Sequence, residues 1–260
     1  MKPAQLIVCT MAIALAFTTT ACSAGVSGAA SGVTNQLPDE TDMEGSPNLD
    51  YGSAPTDRTL QAEAALIEPV ITTATKAAAL AKYSHLDPKK LVDRNLLAKT
   101  LLYLDANPTR FPNKNFITVV NFSIKSNKAR LFNINMKDGS VQAVHVAHGS
   151  KSDPNGDGIP EKFSNENNSN MSSLGVYRAS EVYASSKFKY AMRLDGLSAT
   201  NSNARMRAVV FHSAWYVWES DLMSPGKTYG CLGVSESVAE KMIAKIKDGS
   251  IIYAGLSTDK

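Results

Sequence analysis

The chain has 260 residues, 43% of them hydrophobic and 20% charged, with a formal net charge of +3. That length suits one good-sized domain with appendages, and the composition is that of an ordinary globular chain. The small, dispersed charge and the lack of a long Lys/Arg run argue against a nucleic-acid partner.

Lys2 gives a short basic start, Leu6 to Phe17 is apolar apart from Thr10, and small residues run from Thr18 to Gly25. This is the pattern of a secretory signal over residues 1–22, too short and wrongly flanked for a membrane span. Cys22 follows Ala21 as the lipid-modified cysteine of bacterial lipoprotein signals does, although Thr19 stands where most such signals carry Leu. Two outcomes stay open: a lipid on Cys22, or ordinary cleavage near Ala21 or Ala24. No later segment is long and apolar enough to span a bilayer.

Residues 23–57, rich in Gly, Ser, Ala, Pro, Asn and acids, read as a disordered tether. Residues 58–108 read as a helical segment. Gln61 to Ile67 and Thr73 to Tyr83 are Ala-rich, Asp87-Pro88 predicts a helix restart, and Leu91, Leu96, Leu97, Leu101, Leu102 and Leu104 supply an apolar face before Asn107-Pro108 stops it. From Phe116 the pattern is β. Phe132, Ile134 and Met136 alternate, Asp138-Gly139 centres a hairpin turn, and Val141 to His148 returns. Further strands are predicted over Ser173–Tyr183, Lys187–Leu194, Arg207–His212 and Ser250–Ala254. A late helix starts at Ser235 or Ser237, carries Val238, Met242, Ile243 and Ile246, and ends at Gly249. Many strands with few helices predict a mainly β domain over 115–256, a sandwich or partial barrel.

Cys9 leaves with the signal and Cys22 lies at its end, so Cys231 has no intramolecular partner. The common fate of such a thiol is inert burial. An unpaired thiol in an oxidising compartment is nevertheless worth flagging. His212 ends the apolar run Ala208 to Phe211, and Cys231 lies in Thr228-Tyr229-Gly230-Cys231-Leu232. A thiol and an imidazole at the ends of neighbouring β-elements can form the thiolate–imidazolium pair of a cysteine acyl-transfer enzyme. The imidazole lowers the thiol pKa and stores its proton, and Gly230 lets the backbone come close. Such chemistry needs the pair within bonding reach in a groove open to solvent.

Several stretches in fixed order resemble one family. They are Val119 to Phe132, Val146-Ala147-His148-Gly149, Phe163-Ser164-Asn165, Ser172-Ser173-Leu174-Gly175, Leu194-Asp195-Gly196-Leu197, Asn203 to His212, and Tyr229-Gly230-Cys231-Leu232. Together they resemble the murein L,D-transpeptidase catalytic domain. The resemblance implies a β-rich domain whose Cys231 attacks a peptidoglycan tetrapeptide stem at the carbonyl before its terminal D-Ala. His212 would be the base, the Ser213 carbonyl would orient its ring, and backbone amides near Cys231 would hold the oxyanion. The sequence departs from the family's commonest text at Tyr229, Gly233 and Ser213.

Arg207 is either a carboxylate-holding cation beside the cleft or a solvated strand-edge residue. Tyr229 and Ser173 are further substrate-lining candidates, and Ser172 reads as part of a turn. His148 reads as structural or substrate-lining, and His85 and His145 read as structural. The loop Asp153-Pro154-Asn155-Gly156-Asp157-Gly158 begins like a calcium hand but has Ser164 at the twelfth position where such a hand wants Glu. No metal or other cofactor is expected, and the expected state is a monomer. The leading expectation is an exported L,D-transpeptidase or L,D-carboxypeptidase of the periplasm or cell envelope. Its partners would be peptidoglycan stem peptides and, through a lipid on Cys22, a membrane. The alternative is a murein-binding lipoprotein that has kept the fold without turnover. A cysteine amidase or peptidase of another type is a third option that no papain-like flank supports.

Overall fold

The computed structural model describes residues 65–258. The expected signal (1–22) and tether (23–57) lie outside the described residues, as does the start of the helical segment. Two helices come first, α1 (Thr73–Lys82) and α2 (Arg94–Ala106). Thr72 and Thr75 cap α1 reciprocally, each hydroxyl accepting from the other's backbone N–H at 3.1 and 2.8 Å. The Asp93 carboxylate caps α2 by accepting from Asn95 N and Leu96 N. The predicted restart at Pro88 is therefore displaced. Asp87 takes a φ of 51° and its carboxylate accepts from Leu91 N and Val92 N, closing a turn ahead of the helix. Residues 65–67, predicted as the end of an Ala-rich helix, form none.

Eight strands and one helix follow: β1 (Phe116–Asn121), β2 (Leu131–Asn135), β3 (Val141–Val144), β4 (Gly175–Val182), β5 (Ala191–Gly196), β6 (Val210–Ala214), β7 (Leu232–Ser235), α3 (Glu236–Ile246) and β8 (Ile251–Gly255). All eight strands belong to one sheet, in the order β3-β2-β1-β8-β4-β5-β6-β7. β1 with β8 and β6 with β7 are parallel, and the other neighbours are antiparallel. Beyond β3 the chain crosses to the far edge. Ala147 N donates to Gly233 O at 2.8 Å, and Gly149 pairs with Thr228. The sheet thereby curls into the expected partial barrel.

Alternate residues of the central strands feed two cores, as the two-residue period of a strand requires. Ile117 and Val119 of β1 and Ile251 and Tyr253 of β8 pack with Leu96, Leu97, Leu101 and Leu104 of α2. Val120 of β1 and Ile252 and Ala254 of β8 pack with Ala239, Met242, Ile243 and Ile246 of α3. Strands buried on both faces read as nearly continuous apolar runs, which is how β1 and β8 appear in the sequence. Leu91, expected on the leucine face, lies outside α2 and is exposed. Among the described residues no helix is long and apolar enough to cross a membrane.

Leu101 is fully buried between α2 and the sheet. Leu101→Ala is expected to destabilise the fold by about 2–5 kcal/mol, through lost burial and the cavity left behind. Urea unfolding of the variant beside wild type measures this.

Candidate active site

β6 is five residues long and wholly buried. It lies between β5, where Ala191 faces His212, and β7, where Gly233 faces His212. His212 Nδ1 lies 2.9 Å from the Ser213 carbonyl oxygen. A carbonyl can only accept, so Nδ1 carries the proton and Nε2 is the basic nitrogen. Ser213 is itself fastened to the neighbouring hairpin. Its N–H donates to Tyr190 O at 2.9 Å, and its hydroxyl accepts from Tyr190 N at 3.1 Å. Gly233 makes room for the ring, because a Cβ there would stand 3.3 Å from His212 Cε1. The Phe188 ring, from the loop between β4 and β5, stacks on the imidazole at 3.8 Å between centroids.

Cys231 enters β7 from a tight loop held by Thr228. The Thr228 hydroxyl accepts from Gly230 N at 3.1 Å and donates to Cys231 O at 2.9 Å. Thr228 N donates to His148 O, and Thr228 O accepts from Ser150 N. Gly230 has a φ of +121°, a conformation open to glycine, and a Cβ there would lie 2.7 Å from Met171 O. The sulfur sits against the segment entering β6. Val210 N donates to Sγ at 3.5 Å, and Sγ lies 3.6 Å from Ala208 O. Cys231 thus directly precedes β7, and the β6–β7 register sets it two residues ahead of His212 along β6. Cys231 is 6% exposed and His212 is 0% exposed. The groove expected to be open is therefore closed, because Phe188 covers the ring and the loop over 164–173 abuts Gly230.

Arg207 fastens that loop. Nη1 donates to Ser164 O and Ser173 Oγ, and Nη2 donates to Ser169 Oγ and Met171 O, at 2.6 to 3.3 Å. Ser173 is buried, with its hydroxyl 2.7 Å from Tyr177 Oη. Burial pushes the Tyr177 phenol up to about 12. Ser172 Oγ accepts from Gly149 N, and Tyr229 is half-buried at the loop apex. His85 Nε2 meets Met136 O, and His145 lies between Glu219 and Asp221.

Beneath the cysteine loop lies a buried polar unit that the sequence did not mark. Arg130 is fully buried and donates to the Val146 and Ile124 carbonyls. Its Nη2 also lies 2.8 Å from His148 Nδ1. His148 Nε2 is 3.5 Å from Asp153 Oδ2, and Lys227 Nζ is 3.3 Å from the same oxygen. Burial, then the Arg130 charge, push the His148 imidazole down to about 3. Burial also pushes the Arg130 guanidinium down to about 9. Burial alone would raise the Asp153 carboxyl, but the Gly158 amide and Lys227 hold it below its usual range. Asp153 also accepts from Asp157 N, so its oxygens serve the loop and Lys227. Among the described residues no group of three His, Cys, Asp or Glu side chains is gathered for a metal ion.

Residues 88–254 match the family model of the L,D-transpeptidase catalytic domain. Among solved structures, an L,D-transpeptidase from Mycobacterium smegmatis is 13% identical, covers 54% of this chain and 58% of its own, and has a TM-score of 0.34. L,D-transpeptidase 1 of Mycobacterium tuberculosis is 12% identical, with 54% and 61% covered and a TM-score of 0.32. An L,D-transpeptidase from Stackebrandtia nassauensis is 11% identical, with 72% and 78% covered and a TM-score of 0.34. The chain thus spans less than two thirds of the first two proteins. No protein of curated function matches it.

Thr228→Val keeps the shape of the loop anchor but removes the hydroxyl. It is expected to cost about 1–3 kcal/mol, because the Gly230 amide is left buried without its acceptor. Thermal unfolding reports the loss. His148 has its own signature. The unfolded chain takes up a proton there near 6.5 and the folded chain only near 3. Stability therefore falls as the pH drops between those values. His148→Gln is expected to flatten this part of the pH–stability curve, measured by urea unfolding at stepped pH.

Proposed function

The chain belongs to the L,D-transpeptidase catalytic-domain family, and on that premise we propose that it is a cysteine acyltransferase of peptidoglycan, with Cys231 as nucleophile and His212 as base. The observation that carries this reading is the held imidazole. Nδ1–H is tied to the Ser213 carbonyl, which leaves Nε2 as the base on the strand beside Cys231.

Nε2 takes the thiol proton, and Sγ attacks the carbonyl joining the third, diamino acid residue of a tetrapeptide stem to D-Ala. The Sγ–C bond forms and the carbonyl π electrons move to oxygen, where backbone amides of the cysteine loop receive the charge. On collapse the C–N bond breaks, Nε2–H protonates the departing D-Ala amine, and a thioester on Cys231 remains. An acceptor amine then attacks the thioester, giving a cross-link, or water does, giving a shortened stem. Nε2 removes the proton of that second nucleophile and returns it to sulfur. The Gly230 amide is engaged by Thr228, so Gly230 shapes the loop rather than holding the oxyanion. Tyr229, half-buried beside Cys231, remains the substrate-lining candidate, whereas Ser173 is buried with its hydroxyl held by Tyr177 and Arg207. We place the enzyme in the cell envelope, exported by residues 1–22 and tethered through 23–57, with a lipid on Cys22 as its membrane attachment.

The burial of both reacting side chains favours one second reading, a closed domain that binds murein without turning it over. Intact-mass spectrometry after incubation with a donor tetrapeptide, or with a carbapenem as thiol-directed acylating probe, separates the two. The enzyme reading expects a single adduct that Cys231→Ala abolishes and that His212→Ala slows by ~10²–10⁴-fold. Sacculus binding that survives Cys231→Ala, with no adduct on wild type, would leave only the binding domain.

A further inference from the structure

The segment that leads into β6 touches the sulfur. Ala208 has a φ of 54°, a left-handed conformation that costs an alanine energy and has to be held by its surroundings. The hold is visible: Arg207 N donates to Asn203 O, Ala208 N to Arg205 O and Val209 N to Ala204 O. This turn brings the Ala208 carbonyl 3.6 Å and the Val210 amide 3.5 Å from Cys231 Sγ. An N–H directed at sulfur favours the thiolate, whereas a carbonyl that accepts the S–H favours the thiol, so these two contacts oppose one another and a nearby charge can decide between the forms.

Arg207 occupies the other side of the same loop. Its four hydrogen-bond acceptors, on Ser164, Ser173, Ser169 and Met171, are all carbonyls or hydroxyls, and no carboxylate is among them. Its Nη2 lies 3.1 Å from where a Cβ on Gly230 would stand, against the peptide that precedes Cys231. A half-buried guanidinium with neutral partners keeps its field, and the ionisable groups that act on its charge are Tyr177 and Cys231. Burial lowers the proton affinity of Arg207, and the charges of Tyr177 and Cys231 oppose that shift. Tyr177 itself stays protonated, held up by burial. That leaves the sulfur as the anion this charge serves.

We propose that Arg207, together with the Val210 amide, holds Cys231 as a thiolate in the resting protein, making Arg207 a positioning residue of the nucleophile rather than a clamp for the donor's carboxylate. The proposal rests on the reading of Cys231 as nucleophile, but ionisation is measured without turnover. The proton leaving sulfur goes to His212 Nε2, or to water where His212 is absent.

The test uses the full chain with Cys9→Ser and Cys22→Ser, so that Cys231 is the sole thiol. Thiolate ultraviolet absorbance and the rate of iodoacetamide alkylation are followed against pH. Wild type should ionise well below the ordinary thiol midpoint of about 8.5. Arg207→Gln should raise the midpoint by about one pH unit or more, a tenfold change in thiolate fraction at a given pH. His212→Ala should raise it by less. Arg207→Lys keeps the charge but loses the forked geometry, so its midpoint should stay with wild type. A role confined to fastening the 164–173 loop would instead make Lys behave like Gln. An unmoved midpoint in Arg207→Gln, or a larger rise in His212→Ala, overturns the proposal. If the Gln variant does not fold by circular dichroism, Arg207→Lys decides alone: a midpoint at the wild-type value upholds the proposal, and one raised by about a unit overturns it. Failure of acylation with the thiolate intact would sink the transferase reading and leave this one standing.

Discussion

The parallel pairing of β6 with β7 is the constraint on which the site depends. Parallel neighbours cannot be joined by a hairpin, so the chain must leave the end of β6 and travel back before it can enter β7. Residues 215–231 make that return, and their last step lays Cys231 beside the start of the strand that carries His212. The separation of the two residues in sequence is thus a property of the crossover. Their proximity in space is a property of one register, His212 against Gly233. The imidazole sits over a position without a side chain, and any larger residue there would press on Cε1.

Around that pair the structure distributes the work among loops. The β4–β5 loop brings Phe188 onto the imidazole, and the 164–173 loop is tied to Arg207 beside Gly230. Both loops help to bury the thiol and the imidazole, which strengthens the electrostatic contacts around them. The same coverage leaves Cys231 6% exposed and His212 0% exposed. The Phe188 stack is the more readily broken of the two. It is a ring contact, whereas the Arg207 fork makes four hydrogen bonds.

Much of this was legible in the sequence. The apolar alternation of β2, the Asp138-Gly139 turn and the amphipathic α3 all have local signatures, whereas the strand expected over Arg207–His212 runs instead from Val210 to Ala214 and carries His212 at its centre. The expected orienting contact from the Ser213 carbonyl is present as a hydrogen bond. Other features were hidden for physical reasons. β7 is four residues long with a glycine inside it, too little pattern to read as a strand. Pro88 suggested a helix start, but the Asp87 carboxylate captures two amides and turns the chain instead. The left-handed Ala208 carries no residue-type signal, so the contacts of the sulfur with Ala208 and Val210 were invisible. Asp153 looked like the first ligand of a calcium hand, because in sequence an aspartate awaiting a cation and one facing a distant lysine read alike.

That lysine gives the Arg130–His148–Asp153–Lys227 unit a further meaning. A buried ionic unit is indifferent to being replaced whole by apolar groups of similar volume, but it tolerates the loss of one member badly, since the others are left charged and unsolvated. Two of its members adjoin the strand–loop contact that carries Cys231, His148 through its carbonyl and Lys227 through the next peptide. Loss of Asp153 would be felt most, because it leaves the buried Arg130 guanidinium without its counter-charge, whereas His148 is held neutral and Lys227 keeps contact with solvent.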